Sequence, residues 1–211
     1  MSLVSSRVRT KVAKGEYTPL WIRVWHWAVA VLFVILTYTG IALTFSTSKF
    51  ALMNYELATT WHDVTGVGLT VLFVLFIVFA SATGYWRIYA DRWRGLLDRV
   101  YQQGRRVLTW SPRKRSQTPI GQRRLDTTLP FLLLCQQFLY LLSVVVLLPL
   151  LIITGLPYLY PELAPEKVMG FAGLWTIGVA HYVVGLFSTL FLVLHIYIST
   201  IAGFRRMIKG R

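Results

Sequence analysis

Four runs of the chain contain no Asp, Glu, Lys or Arg: Val24–Ser48, Val64–Trp86, Thr127–Pro161 and Val168–Phe204. Each exceeds the roughly 20 residues an α-helix needs to cross the hydrocarbon of a bilayer. No water is available there, so the backbone must satisfy its own hydrogen bonds and each run is expected to be helical. The pattern predicts helices over about 20–45, 63–89, 129–157 and 170–204, with a connection over about 90–127. The fold class is therefore an all-α integral membrane protein, a four-transmembrane-helix bundle, with residues 1–211 forming one membrane domain and no soluble one.

The connection between the second and third helices has a pattern of its own. Trp93, Leu96, Leu97, Val100, Tyr101, Val107 and Leu108 recur at helical spacing among arginines. Such a helix is amphipathic and is expected to lie on the cytoplasmic interface. The stretch that follows, as far as Gln122, is rich in Ser, Pro and basic residues and reads as loose loop. No internal repeat or low-complexity tract stands out. At the N-terminus basic residues precede an apolar run, as in a signal peptide. That run is too long for a signal h-region and no A-x-A site follows it, so cleavage is not expected.

Composition adds a second constraint. The chain has 211 residues, is 55% hydrophobic, and still carries a net charge of +14. Lys and Arg sort between alternate segments. Five lie at the N-terminus (Arg7, Arg9, Lys11, Lys14, Arg23), eleven between Arg87 and Arg124, and four at the C-terminus (Arg205, Arg206, Lys209, Arg211). The two remaining connections hold one each, Lys49 and Lys167. The positive-inside rule then puts both termini and the long connection in the cytoplasm, and the short connections in the periplasm of a bacterial inner membrane. A basic excess can also signal nucleic acid. Here every cluster abuts a membrane span, so anionic lipid headgroups account for it and no nucleic acid is expected. The lone Cys135 excludes a disulfide framework and a Cys-ligated iron–sulfur cluster within this chain.

The chain has four histidines, His26, His62, His181 and His195, all in or at the ends of predicted spans. An ionisable group at membrane depth is expensive unless it has a partner. Any one of them could simply hydrogen-bond a neighbouring helix, so the set has to be read together. His181 and His195 are 14 residues apart on helix 4, which places both on one side and about 21 Å apart along the axis. The topology set by the arginines puts His26 level with His195 near the inner surface, and His62 level with His181 near the outer surface. Two imidazoles facing across a gap suit the axial positions of a haem iron, giving two haems b. The same four residues are then the iron ligands.

A macrocycle needs flat space beside its ligands. Gly66 and Gly185 each follow an outer histidine by one turn, and Gly40 falls on the face of His26 at the outer depth. These glycines are candidate haem-pocket residues, and close helix packing would place them equally well. Arg23, three residues before His26, can pair with a propionate of the inner haem or snorkel to the interface.

Together these residues resemble the bacterial two-haem cytochrome b subunits of membrane-bound formate dehydrogenases (the gamma subunit), nickel–iron hydrogenases and thiosulfate reductases. The matching elements are Arg-x-x-His-Trp at Arg23–Trp27, Thr39-Gly40-Ile41, the His-x-x-x-Gly pairs from His62 and His181, Thr154-Gly155, and His195-Ile196-Tyr197. They cover the chain from about Tyr17 to Lys209. The cytochrome b of bc complexes is less similar, because two of its helices each carry two ligands. The resemblance implies a subunit that anchors a periplasmic catalytic partner, with an iron–sulfur subunit, and exchanges electrons with menaquinone or ubiquinone near the inner haem. Transfer from the outer to the inner level, with proton uptake from the cytoplasm on quinone reduction, would be electrogenic. In relatives helix 3 opens with an Asn a few residues before a Gln near the quinone. Here Leu133 stands near the Asn position, and Gln136 or Gln137 matches the Gln. Gln136 is the candidate quinone residue, or it bonds another helix.

The leading function is thus an electron-transfer subunit with no bond-making chemistry of its own. The alternative is a standalone transmembrane quinol oxidase or reductase that serves a soluble cytochrome or small oxidant. A transporter using the histidines as proton relays is disfavoured by the lack of intramembrane Asp or Glu. A compact metal cluster is disfavoured by ligands in two levels. Glu56, Asp63, Glu162 and Glu166 leave the outer connections slightly acidic, which selects no particular partner. Reporter fusions test the topology directly: fusions at Trp61 and Trp110 are expected to report opposite sides, and the same side would overturn the pairing of levels.

Overall fold

In a computed structural model the chain is described over residues 18–46, 52–84, 87, 95–109, 120–202 and 208. Six α-helices form among these: α1 (Leu20–Phe45), α2 (Tyr55–Ala82), α3 (Leu96–Leu108), α4 (Ile120–Leu142), α5 (Leu148–Leu159) and α6 (Gly173–Ala202). Four stretches are long and apolar enough to cross a membrane: Leu20–Phe45, Tyr55–Ala82, Pro130–Leu159 and Gly173–Thr200. The protein is a multi-pass, helical membrane protein. Large apolar side chains such as Val31, Val74, Ile153 and Phe187 point outward from the spans, as a lipid-facing surface requires.

The first span falls where the apolar run predicts. The second differs, running from Tyr55 to Ala82 instead of about 63–89. Its start is set by Asn54, whose side chain accepts from the backbone N–H groups of Glu56 at 2.9 Å and Leu57 at 3.3 Å. That cap satisfies two of the orphan donors at a helix N-terminus, and Glu56 in the first turn complements the helix dipole. Two polar turns therefore precede the charge-free run. The end comes at Gly84, whose φ of +65° is left-handed and halts the helix. Residues 85, 86, 88 and 89 lie outside the described ones.

The third span is not one regular helix. α4 passes into a π-helical turn, Ser143–Leu147, and then into α5. Pro149 explains the turn, because it has no N–H to give to the carbonyl four residues back and its ring crowds that carbonyl. α4 also begins at Ile120, inside the expected connection, and carries Pro130 within it. The fourth span starts at Gly173, three residues later than expected, because a two-residue ribbon precedes it: Lys167 pairs with Ala172 and Val168 with Phe171. Met169 and Gly170, both at positive φ (53° and 87°), make the tight turn. The all-α expectation holds apart from this ribbon.

A helix does form in the long connection. In α3, Asp98 lies in the first turn and Arg105 and Arg106 in the last, each sign suited to its end of the dipole. Gly104 lets α4 come close: a Cβ there would sit 3.3 Å from the Phe131 ring. Trp93 and the stretch 110–119 lie outside the described residues, as do Arg7, Arg9, Lys11, Lys14 and Lys49.

Packing divides the spans into two pairs. α1 packs along α2, and α5 along α6, while contacts between the pairs are sparse. The first pair is held by an aromatic cluster at its inner end. Trp25 stacks on Phe76 with ring centres 4.3 Å apart, and Trp21 stacks on Phe79 at 6.1 Å. The Trp25 indole N–H donates to the Leu72 carbonyl at 2.9 Å. Ala42 and Ala58, each 1% exposed, keep the outer part tight, in the way small residues let membrane helices approach. Ala58→Leu is expected to overpack the pair and cost about 1–3 kcal/mol. It should therefore lower the thermal unfolding midpoint in detergent, whereas Val74→Leu on the outward face should leave it unchanged.

Candidate functional site

The sparse seam between the two helix pairs is where the histidines meet. At one level, the outer one in the topology expected from the charges, His62 on α2 faces His181 on α6, with ring centres 6.2 Å apart. At the inner level His26 on α1 faces His195 on α6, with ring centres 6.1 Å apart. The structure thus brings together the two pairs that charge topology and helical spacing predict.

The separation can be compared with two ways of joining the rings. An imidazole–imidazole hydrogen bond of about 2.9 Å would bring the ring centres to roughly 5.1 Å. A metal–nitrogen bond of about 2.0 Å, with roughly 1.1 Å from nitrogen to ring centre, puts two imidazoles on opposite sides of one iron about 6.2 Å apart. Both observed distances match the second arrangement. Neither pair is hydrogen-bonded to its partner among the described residues. Among the described residues no three or more His, Cys, Asp or Glu gather where they could hold a metal ion.

The ring nitrogens turned away from the gap are also informative. His62 Nδ1 lies 2.9 Å from Thr39 Oγ1, and His181 Nδ1 lies 2.9 Å from Thr154 Oγ1. Each hydroxyl has one proton and a backbone carbonyl to receive it: Ile35 O at 2.9 Å for Thr39, Leu150 O at 2.6 Å for Thr154. With the proton assigned to the carbonyl, the hydroxyl oxygen accepts from Nδ1–H, and the Nε2 lone pair is left for the gap. That is the tautomer an axial ligand needs. Two glycines follow these threonines. A Cβ on Gly40 would stand 3.6 Å from His62 Cε1, and one on Gly155 would stand 3.3 Å from His181 Cε1.

The inner level is built differently. The Gln136 amide lies 3.2 Å from His195 Nδ1 and 2.9 Å from Ser199 Oγ. A His195 that offers Nε2 to a metal carries its proton on Nδ1, and the group it then needs is the oxygen end of this amide. His26 Nδ1 is buried and has no partner among the described residues. Trp27 stands edge-on to His26 at 5.4 Å, and Phe191 lies 5.5 Å from His195.

The other expected residues fall into three groups. Gln136 is engaged with a neighbouring helix, the alternative to a quinone contact that the sequence left open. Arg23 donates to the Ile208 carbonyl and lines a hollow with Leu20, Val24, Trp27 and Ile208. Of the glycines, Gly40 touches His62, and Gly66 would meet only Leu36 at 3.9 Å. A Cβ on Gly185 would meet no atom beyond its own helix backbone within 4 Å. Sequence reasoning gave no role to Thr39, Thr154, Gly155 or Ser199. The signal was present for three of them: Thr-Gly occurs near the outer end of the first and third spans, level with the outer histidines.

Apolar spans with histidines paired inside them at iron-bridging distance are the arrangement of a transmembrane cytochrome b. Residues 17–210 match the family described as prokaryotic cytochrome b561, and the chain belongs to that family. It is a membrane cytochrome b of the electron-transport class, with haem b as its cofactor. Among curated proteins it is similar to the Escherichia coli (strain K12) protein named "Putative cytochrome YdhU", at 27% identity over 194 residues, 90% of this chain and 71% of the relative. No solved structure matches it. Gly155→Leu is expected to push against the His181 ring and cut bound haem per polypeptide severalfold while membrane insertion continues. Unchanged haem content by pyridine haemochrome assay would show that the ring has room to spare.

Proposed function

We propose that the chain is a di-haem cytochrome b subunit that relays electrons across the bacterial inner membrane, between a periplasmic oxidoreductase partner and the quinone pool, and anchors that partner. The observation that carries this reading is the two pairs of facing imidazoles, their ring centres 6.1 and 6.2 Å apart. His62 and His181 hold the outer haem, and His26 and His195 the inner one. Haem b, when bound, supplies one-electron redox chemistry. The protein fixes the distance, since both α6 ligands ride on one straight element 14 residues apart, about 21 Å along the axis.

Around those ligands, Gly40, Gly66 and Gly185 leave room for flat rings, and Arg23 is placed to pair with an inner propionate. The termini and long connection lie in the cytoplasm, where α3 rests on the interface with its arginines toward lipid headgroups. The partner, with an iron–sulfur subunit, docks on the outer face. Menaquinone or ubiquinone approaches the inner level, where Leu133 replaces the Asn that relatives of this type use and Gln136 supports His195.

Two assays on membranes carrying the chain with its native partners test the proposal. A reduced quinone analogue should reduce the haem of the wild type. It should fail to do so in His195→Ala, whose remaining haem dithionite still reduces. Affinity purification of the wild type in mild detergent should bring down an iron–sulfur subunit. Quinol reduction that survives His195→Ala would overturn the inner quinone exchange. Purification of the chain alone would favour a standalone quinol oxidase or reductase.

A further inference from the structure

Hydroxyl side chains recur along the described helices, and most of the bonds they make are local. Thr44, Thr59, Thr60, Thr65, Thr70, Ser188 and Thr189 each bond a carbonyl of their own helix and reach no imidazole in the described structure. That is the ordinary habit of a helical hydroxyl. Thr39 and Thr154 make the same carbonyl bond and, in addition, meet a histidine nitrogen on the next span, with the same atom at the same 2.9 Å. Ser199 is a different case and touches Gln136.

The coincidence goes further. In both places the next residue is a glycine whose missing Cβ faces the Cε1 edge of that same ring, whereas the glycines after Thr65 and Thr83 face no imidazole. One copy is on α1 against α2, and the other is on α5 against α6, so two separate parts of the chain build the same clip. The inner level has no such clip: His195 meets an amide, and His26 Nδ1 meets nothing described. Among the described residues, the hydroxyl clips occur at the level of His62 and His181 alone.

We infer that Thr39-Gly40 and Thr154-Gly155 are matched positioning elements for the outer haem, each holding one axial histidine as its Nδ1–H tautomer and setting the electron-donating strength of that ligand. This rests on the di-haem reading above. An accepted Nδ1–H bond makes an imidazole a stronger donor, and a stronger donor favours ferric over ferrous iron. Removing both hydroxyls therefore raises the outer potential and weakens outer haem binding without touching the inner site. The glycine confines the ring from its edge, so the hydroxyl meets the nitrogen and not the carbon.

The test uses the full-length protein in detergent, with Thr39→Val, Thr154→Val, the double variant, and Thr39→Ser and Thr154→Ser as hydroxyl-keeping controls. The readouts are a spectroelectrochemical titration and the ferric low-spin EPR signals. Each valine should move one of the two midpoint potentials upward, shift the matching EPR signal, and reduce retention of that haem about 10-fold. The serines should restore all three, and Gln136→Leu should perturb the other haem. Valine variants with both potentials and both signals unchanged would overturn the inference, as would serine variants that behave like valine. A wild type with fewer than two haems would instead remove the di-haem reading on which it rests.

Discussion

Two imidazoles held a fixed distance apart inside lipid are the interaction on which this structure depends. A neutral histidine at membrane depth still has a donor and an acceptor to satisfy, and hydrocarbon satisfies neither. Three of the four histidines place Nδ1 against a hydroxyl or an amide. The other nitrogen of each ring is left for whatever occupies the gap. Iron coordination at both levels would supply the missing partner, and the haem reading proposed above accounts for the separation better than helix-to-helix hydrogen bonding.

This dependence also explains the architecture around the seam. The protein's own packing is concentrated within α1–α2 and within α5–α6, and it is thin between these pairs. Apolar burial does not drive membrane helices together as it does in water, so such pairs rely on close backbones, aromatic contacts and polar clasps. Ligands shared across the seam would tie the pairs to each other. Folding and cofactor capture are then one process, since a group that binds the assembled bundle and not its separated halves stabilises the assembly by mass action.

The sequence made the spans and the histidine pairing legible for a simple reason. Lipid forbids charge over some 20 residues, and helical periodicity then fixes which depths and faces histidines share. Finer features had other causes. The two extra turns of α2 come from the Asn54 cap and polar residues outside the apolar run, which a search for charge-free stretches does not register. The π-helical turn before Pro149 and the ribbon turned by Met169 and Gly170 are backbone effects with weak sequence signatures. Thr39 and Thr154 were visible as a repeated Thr-Gly, but helical threonines so often bond their own backbone that their contact with the ligands required the three-dimensional arrangement. Gln136 shows the opposite case: its contact with His195 is a side-chain arrangement that spacing along the chain does not register.

The central claim is that two irons are each gripped by two imidazoles from different helices, one iron near each membrane face. Haem and protein quantified on the same purified wild-type sample, with EPR of the oxidised form, address it most directly. The account predicts two haems b for each polypeptide, both low-spin and with no high-spin component. A colourless preparation from haem-replete cells, a ratio of one, or a dominant high-spin signal would contradict it.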